Sequence, residues 1–227
     1  MAISVGDYSF DERHTTARET YEAVGGKETR VVTITGLLRG AADRAALDGA
    51  LDTIMQLASA EESVSVSVRS GRRILARRES FSREVNERTL TGQFVLTMRA
   101  DEAFEESVVL HETAWSIGAS GATLELSPGG SAASPAVISI DALGELVAPT
   151  LSDGTRTLTY EGVVPLGALF VVDGEAAQVW IDDEDVTPYT VGAFPELGPG
   201  ATTLTYSDGA TSSHLADGVV AYRDRWW

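Results

Sequence analysis

Along most of this chain apolar and polar residues alternate with a period of two, the signature of half-buried β-strands. The closing third shows it most clearly. Leu204 and Tyr206 share one face with Thr202, while Thr203 and Thr205 take the other. Leu197-Gly-Pro-Gly200 in front of them is turn chemistry, because Pro199 fixes φ and the glycines accept positive φ. A last strand is read over residues 218–227. It is tipped by Arg223, Arg225, Trp226 and Trp227. Termini fray unless tied down, so the two tryptophans are expected to be docked.

Earlier in the chain the same period recurs. Residues 1–40 read as extended, with 18–24 open to either a strand or a helical turn. Gly25-Gly26 then breaks the pattern, and residues 27–36 alternate again, giving a hairpin-like pair. Residues 41–58 change to a helical period, with Leu47, Leu51, Ile54 and Ala58 on one stripe and Met55 beside it. Such a stripe fits a helix lying on a sheet better than a groove-filling helix, and Asp43 is its expected N-cap. Gly49 inside the helix costs up to about 1 kcal/mol relative to alanine. Val64, Val66 and Val68 then point inward from a strand, Ser70-Gly71 turns, and residues 72–78 run back. Residues 90–99 form another strand. From 108 onward strands are read at 108–117, 122–126, 136–140, 156–160, 168–172 and 178–181, separated by Ser-Pro-Gly-Gly, Ser-Asp-Gly and Asp-Gly turns, with no helix among them.

The fold class expected is therefore mainly β with one helix, in two domains, 1–107 and 108–227. A chain of 227 residues is comfortable for two units of about a hundred residues each. Hydrophobic content of 43% supports real cores. No run approaches the ~18 apolar residues of a membrane-spanning helix. The opening residues lack the basic and apolar regions of a secretory signal. Cysteine is absent, which removes disulfides and thiol chemistry.

Charge divides the chain as well. Residues 1–107 hold 18 acids and 14 bases, whereas residues 108–227 hold 16 acids and only 3 bases. Such a second half repels phosphate backbones, so specific nucleic-acid binding is not expected. The chain has one lysine, Lys27, against sixteen arginines. A GC-rich genome and a halophilic source both account for that bias. Arg69, Arg72, Arg73, Arg77, Arg78, Arg83 and Arg88 make the one basic concentration. It reads either as a solvated hairpin face balanced by Glu79, Glu84 and Glu87, or as a salt-bridged subunit interface.

Catalytic and metal signatures are lacking. His14, His111 and His214 are far apart, with no paired ligand spacing. Gly25-Gly26-Lys27 is not a phosphate loop, and no Gly-x-Ser-x-Gly elbow occurs. Asp182-Asp-Glu-Asp185 lacks EF-hand spacing and reads as a solvated acidic loop. No cofactor and no catalytic residue are nominated. A sugar-binding sandwich is the alternative, with Trp115, Trp180, Tyr160 or Tyr189 as stacking platforms.

Taken together, the stretch 19–36, the helix with Leu47 and Leu51, and the arginine-rich hairpin resemble the N-terminal ring domain of the distal tail proteins of siphoviruses. Tyr160-Glu-Gly162, Leu169-Phe-Val-Val-Asp-Gly174, Asp185-Val-Thr-Pro188, the Leu197-Gly-Pro-Gly turn with its tyrosine strand, and the Tyr222-Arg-Asp-Arg-Trp226 ending are similar to the galectin-like β-sandwich that follows it. Ala201 departs from the asparagine often found after that Pro-Gly. The resemblance implies a tail-tube-like β-sandwich or barrel plus helix, then a galectin-like sandwich, in a structural virion protein that is not an enzyme. It further implies a hexameric ring at the distal end of the tail, with a channel for the genome. Its neighbours would be the tail tube protein, the tail hub protein and fibre or receptor-binding proteins. A tail tube or terminator subunit is the alternative within that class.

Overall fold

A computed structural model describes residues 3–24, 27–100 and 102–227. The architecture is mainly β with one α-helix. The chain divides into two compact units, residues 1–108 with Trp227 and residues 109–226.

In the first unit the strands are β1 (Ser4–Val5), β2 (Tyr8–Ser9), β3 (Thr15–Val24), β4 (Lys27–Leu38), β5 (Val64–Ser67), β6 (Arg72–Asn86), β7 (Thr91–Ala100) and β8 (Glu105–Ser107). They form an antiparallel sheet in the order β2-β1-β5-β6-β7-β4-β3, with β8 pairing to the start of β6. Residues 18–24 are therefore strand. The apex of the β3–β4 hairpin lies outside the described residues, but the strands pair up to Val24 opposite Lys27.

Helix α1 (Arg44–Gln56) forms where the period changes to 3.6. Asp43 caps it by accepting a hydrogen bond from the Ala46 N–H at 2.8 Å, and Leu47, Leu51 and Ile54 are buried. They cover the inward series Ile34, Phe94, Leu96 and Met98. Gly92 of β7 is where the helix comes closest, since a Cβ there would stand 3.0 Å from Leu47 Cδ1.

The strand after the arginine turn is twice as long as the alternation predicts. β6 continues through Arg78 to Asn86, because β7 supplies a ladder that needs no apolar alternation on the β6 side. Register shifts between Arg78 and Ser80, leaving Glu79 as the extra residue of a bulge. Among the described residues β5 meets β6 only at Ile74–Ala76, so the far half of β6 has a ladder on one side, with β7.

In the second unit the strands are β9 (His111–Ile117), β10 (Ala122–Leu126), β11 (Ser134–Ala142), β12 (Leu146–Val147), β13 (Thr150–Ser152), β14 (Thr157–Tyr160), β15 (Val163–Val164), β16 (Leu169–Asp173), β17 (Gln178–Ile181), β18 (Glu184–Asp185), β19 (Thr190–Gly192), β20 (Glu196–Leu197), β21 (Thr202–Ser207) and β22 (Ala216–Tyr222). One sheet runs β10-β21-β13-β14-β19 and the other β18-β17-β16-β11-β22-β9, with β20 beside β11 and β12 paired to β15. The core between them holds Ile138, Ile140, Phe170, Leu204, Tyr206 and Val220. Leu204 and Tyr206 are fully buried, on the face that the alternation assigns them. Thr187–Tyr189 is a single 3₁₀ turn; no α-helix occurs in this unit among the described residues.

Candidate functional site

The arginine-rich hairpin turns much of its charge onto carboxylates of its own unit. Arg30 continues the inward series of β4 below Val32 and Ile34, so the strand period carries a guanidinium into the core with 0% exposure. Its Nη2 donates to the Tyr21 hydroxyl at 2.7 Å, and its guanidinium carbon stands 4.9 Å from the centre of that ring. Nη1 lies 3.3 Å from Glu105 and 3.6 Å from Glu19.

Arg69, just after β5, donates to Glu19 at 2.5 Å and also to Glu105. Arg72 reaches the other Glu105 oxygen at 3.2 Å. Three cations thus converge on two carboxylates, one of which, Glu105, is only 2% exposed. Burial works against the Arg69 cation, but its hydrogen bonds to Glu19 and Glu105 outweigh it and hold its pKa above the ordinary arginine value.

The other arginines of the group are engaged separately. Arg73 pairs with Glu106 at 3.6 Å, Arg78 donates to the Met55 carbonyl at the end of α1, and Arg83 pairs with Asp52 of α1 at 2.6 Å. Arg77 is engaged as well. Sequence reasoning missed Glu19 and Glu105. The one local signal was a Glu105-Glu106 pair ahead of a stretch poor in cations; the pairing itself joins residues 36 and 50 apart.

A cleft of about 480 Å³ adjoins this network, lined by Ile3, Thr16, Ala17, Glu19, Val68 and Arg69. It brings residues of β3, at one end of the sheet order, near residues flanking β1 and β5, at the other.

The sheet face opposite α1 is of another kind. Thr16, Thr33, Thr35, Thr97, Ser80 and Ser82 lie across β3, β4, β7 and β6 on that face. Of its charges, Arg99 is held by Glu79 at 2.6 Å and Glu22 at 3.0 Å, while Arg18, opposite Thr33, is exposed.

In the second unit Asp208 anchors the loop before β22. Its carboxylate accepts from the Tyr206 hydroxyl at 2.9 Å and meets His214 Nδ1 at 2.5 Å. Burial pushes the Asp208 pKa up, but hydrogen bonds from Ser212, Tyr206 and His214 carry it below the usual carboxylate value. No hydrolytic nucleophile is aligned by this histidine, whose role here is a loop clamp. Asp182 and Asp185 of the acidic stretch also act locally, accepting from the Leu169 and Thr187 N–H groups. No group of three or more His, Asp or Glu placed to hold a metal occurs among the described residues.

Of the aromatic candidates, Trp115 is in the core and Tyr160 packs on Phe170, while Trp180 and Tyr189 reach the surface. Trp227 keeps 61% of its surface exposed and packs, tilted by 50° with ring centroids 4.3 Å apart, on Phe104 of the unit to which it belongs. Trp226 is half-buried.

No protein-family model matches the chain, and no curated protein matches it. Among solved structures the fold is similar to that of a phage hub protein. The structure concerned is the SPP1 Dit protein (gp 19.1), described as a paradigm of the hub adsorption apparatus in phages infecting Gram-positive bacteria. The likeness has a TM-score of 0.71 at 10% identity and covers 100% of this chain and 99% of that one. At that identity the two share a fold; the side chains described above are this chain's own.

Proposed function

We propose that this chain is a structural protein of the distal end of a long viral tail, without enzymatic activity, and that its first unit closes into a ring. The observation that carries the reading is the fold likeness to a tail-hub protein over the entire length of both chains.

The strand order supplies a physical reason for assembly. Among the described residues β3 has a ladder only with β4, and the part of β6 beyond Ala76 only with β7, apart from a single bond from the Arg78 N–H to the Ser59 carbonyl, so two long strands end the four-stranded β6-β7-β4-β3 segment without a ladder on their outer sides. Open edges of this length are templates for another strand. Two different edges on opposite sides of one segment favour head-to-tail contacts, which close into a cyclic assembly when the rotation permits.

The hydroxyl-covered face would then line the bore. Its covering is largely hydroxyl, with Arg18 exposed among it, and DNA is gripped chiefly by cations on its phosphates. Tail tube, hub and fibre or receptor-binding proteins are the partners this reading assigns, with six copies in the ring. Arg69, Arg72 and Arg73 serve in it by stiffening the unit from within, and any arginine contact across a subunit boundary would be additional to those pairs.

Light scattering on the purified chain over a range of salt and protein concentrations tests the ring, together with images of the particles. The expected result is an annular particle of several copies. A monomer under every condition would refute the ring.

A further inference from the structure

The two outer faces of the second unit's sandwich differ in chemistry. On the five-stranded sheet the outward positions are largely hydroxyl-bearing, Thr123, Thr150, Thr157, Thr159, Thr203 and Thr205, with Glu125 and the exposed Val191 at its borders. On the other sheet the register places Ala114, Val219, Ser139, Val171 and Trp180 side by side across β9, β22, β11, β16 and β17. None of these side chains points into the core, and Val219 is 42% exposed. Val137 and Ala221 extend the apolar surface on one side and Leu169, 36% exposed, on the other. Apolar surface gathered on one face, when the opposite face of the same sandwich is hydroxylated, is the mark of a docking site.

The next row along this face carries its charge. Asp141 of β11 lies directly opposite Asp217 of β22. Like charges at such a cross-strand position repel, and the sheet tolerates them at a cost. Neither makes an ion pair among the described residues; Asp217 accepts only from Ser116 Oγ, at 3.3 Å. Residues 108–227 contain three bases, of which Arg156 pairs with Glu196 and Arg225 with Glu175.

We infer that this face takes a protein partner presenting an apolar patch bordered by lysine or arginine. The inference rests on the reading of the second unit as the part that holds other tail components. The apolar row supplies contact area, and Asp141 and Asp217 supply register by selecting a basic border. A sugar would find one indole and no converging polar groups, since Asp173 and Asp185 are occupied with the backbone N–H groups of Glu175, Ala176 and Thr187.

The test uses the full chain and two designed β-hairpin peptides with one valine- and tryptophan-rich face, bordered by lysines in one and by glutamates in the other. Methyl NMR spectra are recorded during titration. The lysine-bordered peptide is expected to shift the Val171 and Val219 methyls, and the glutamate-bordered one to leave them unmoved. Asp141→Asn with Asp217→Asn is expected to weaken binding roughly tenfold while leaving the melting temperature unchanged or higher. Val219→Lys is expected to abolish binding and leave the ring intact by light scattering. Equal binding of both peptides, or shifts confined to the threonine face, would overturn the inference. So would a ring dissolved by Val219→Lys, because the occupant would then be a second copy of this chain. A ring without peptide binding sinks this inference alone, whereas peptide binding by a permanent monomer sinks the ring alone.

Discussion

Replacing Glu105 by glutamine removes one negative charge and almost no volume. In the native unit that carboxylate is 2% exposed and faces Arg30, Arg69 and Arg72. Arg30 is itself 0% exposed, and its other carboxylate, Glu19, stands 3.6 Å away. The variant leaves Glu19 as the carboxylate facing Arg30 and Arg69, with the more buried of the two the farther from it. Breaking a buried ion pair from one side costs about 3–5 kcal/mol, because the remaining charge keeps its desolvation penalty. For a unit of about a hundred residues, 1 kcal/mol corresponds to roughly 4–8 °C, so the first-unit transition should fall by about 12 °C or more. Differential scanning calorimetry of the full chain measures it. Asp52→Asn is the control: its partner Arg83 is 42% exposed, and exposed pairs are worth at most about 1 kcal/mol. Added salt should shrink the control's effect and leave that of Glu105→Gln nearly unchanged. A loss below about 1 kcal/mol for Glu105→Gln would refute the view that these charges are coupled in the core.

Two further outcomes concern the second unit. Gly192 has φ +111, and a Cβ there would lie 2.0 Å from the Thr157 carbonyl oxygen, so Gly192→Ala should cost about 3 kcal/mol or more, read as a shift in the denaturation midpoint. The Asp208 pKa is depressed in the folded chain, so its contribution is present above the unfolded carboxylate value near ~3.9 and is lost as pH falls through the folded value. Asp208→Asn should therefore be less stable than the parent at pH 6, with the difference narrowing in urea titrations carried below about pH 4; a difference independent of pH would count against the clamp.

How much of this was legible in the sequence depended on the range of each interaction. α1, the valine alternation of β5 and the burial of Leu204 and Tyr206 follow from local period, and all three are read directly. Residues 79–86 carry few apolar side chains, so nothing local marked them as strand; the β7 ladder holds them there. Short strands such as β12, β15 and β20 are two residues long and owe their form to neighbours distant in sequence. The arginines were visible as a group, but not the destination of each. Arg69 meets Glu19 fifty residues away, and Arg30 was passed over because one arginine in a clean strand alternation looks like a surface residue. The apolar outer face was hidden for the same reason: each strand contributes one or two small residues, and only the register sums them.

The bulge at Glu79 has a geometric consequence for any assembly built through the edges of β3 and β6. An extra residue on one strand increases local twist and bends the ribbon. The angle between the two bonding edges of one subunit is the turn each copy adds to a circle, and the number of copies is a full revolution divided by that turn. In such an assembly one exposed glutamate, remote from the core, would sit where the diameter of the circle is set.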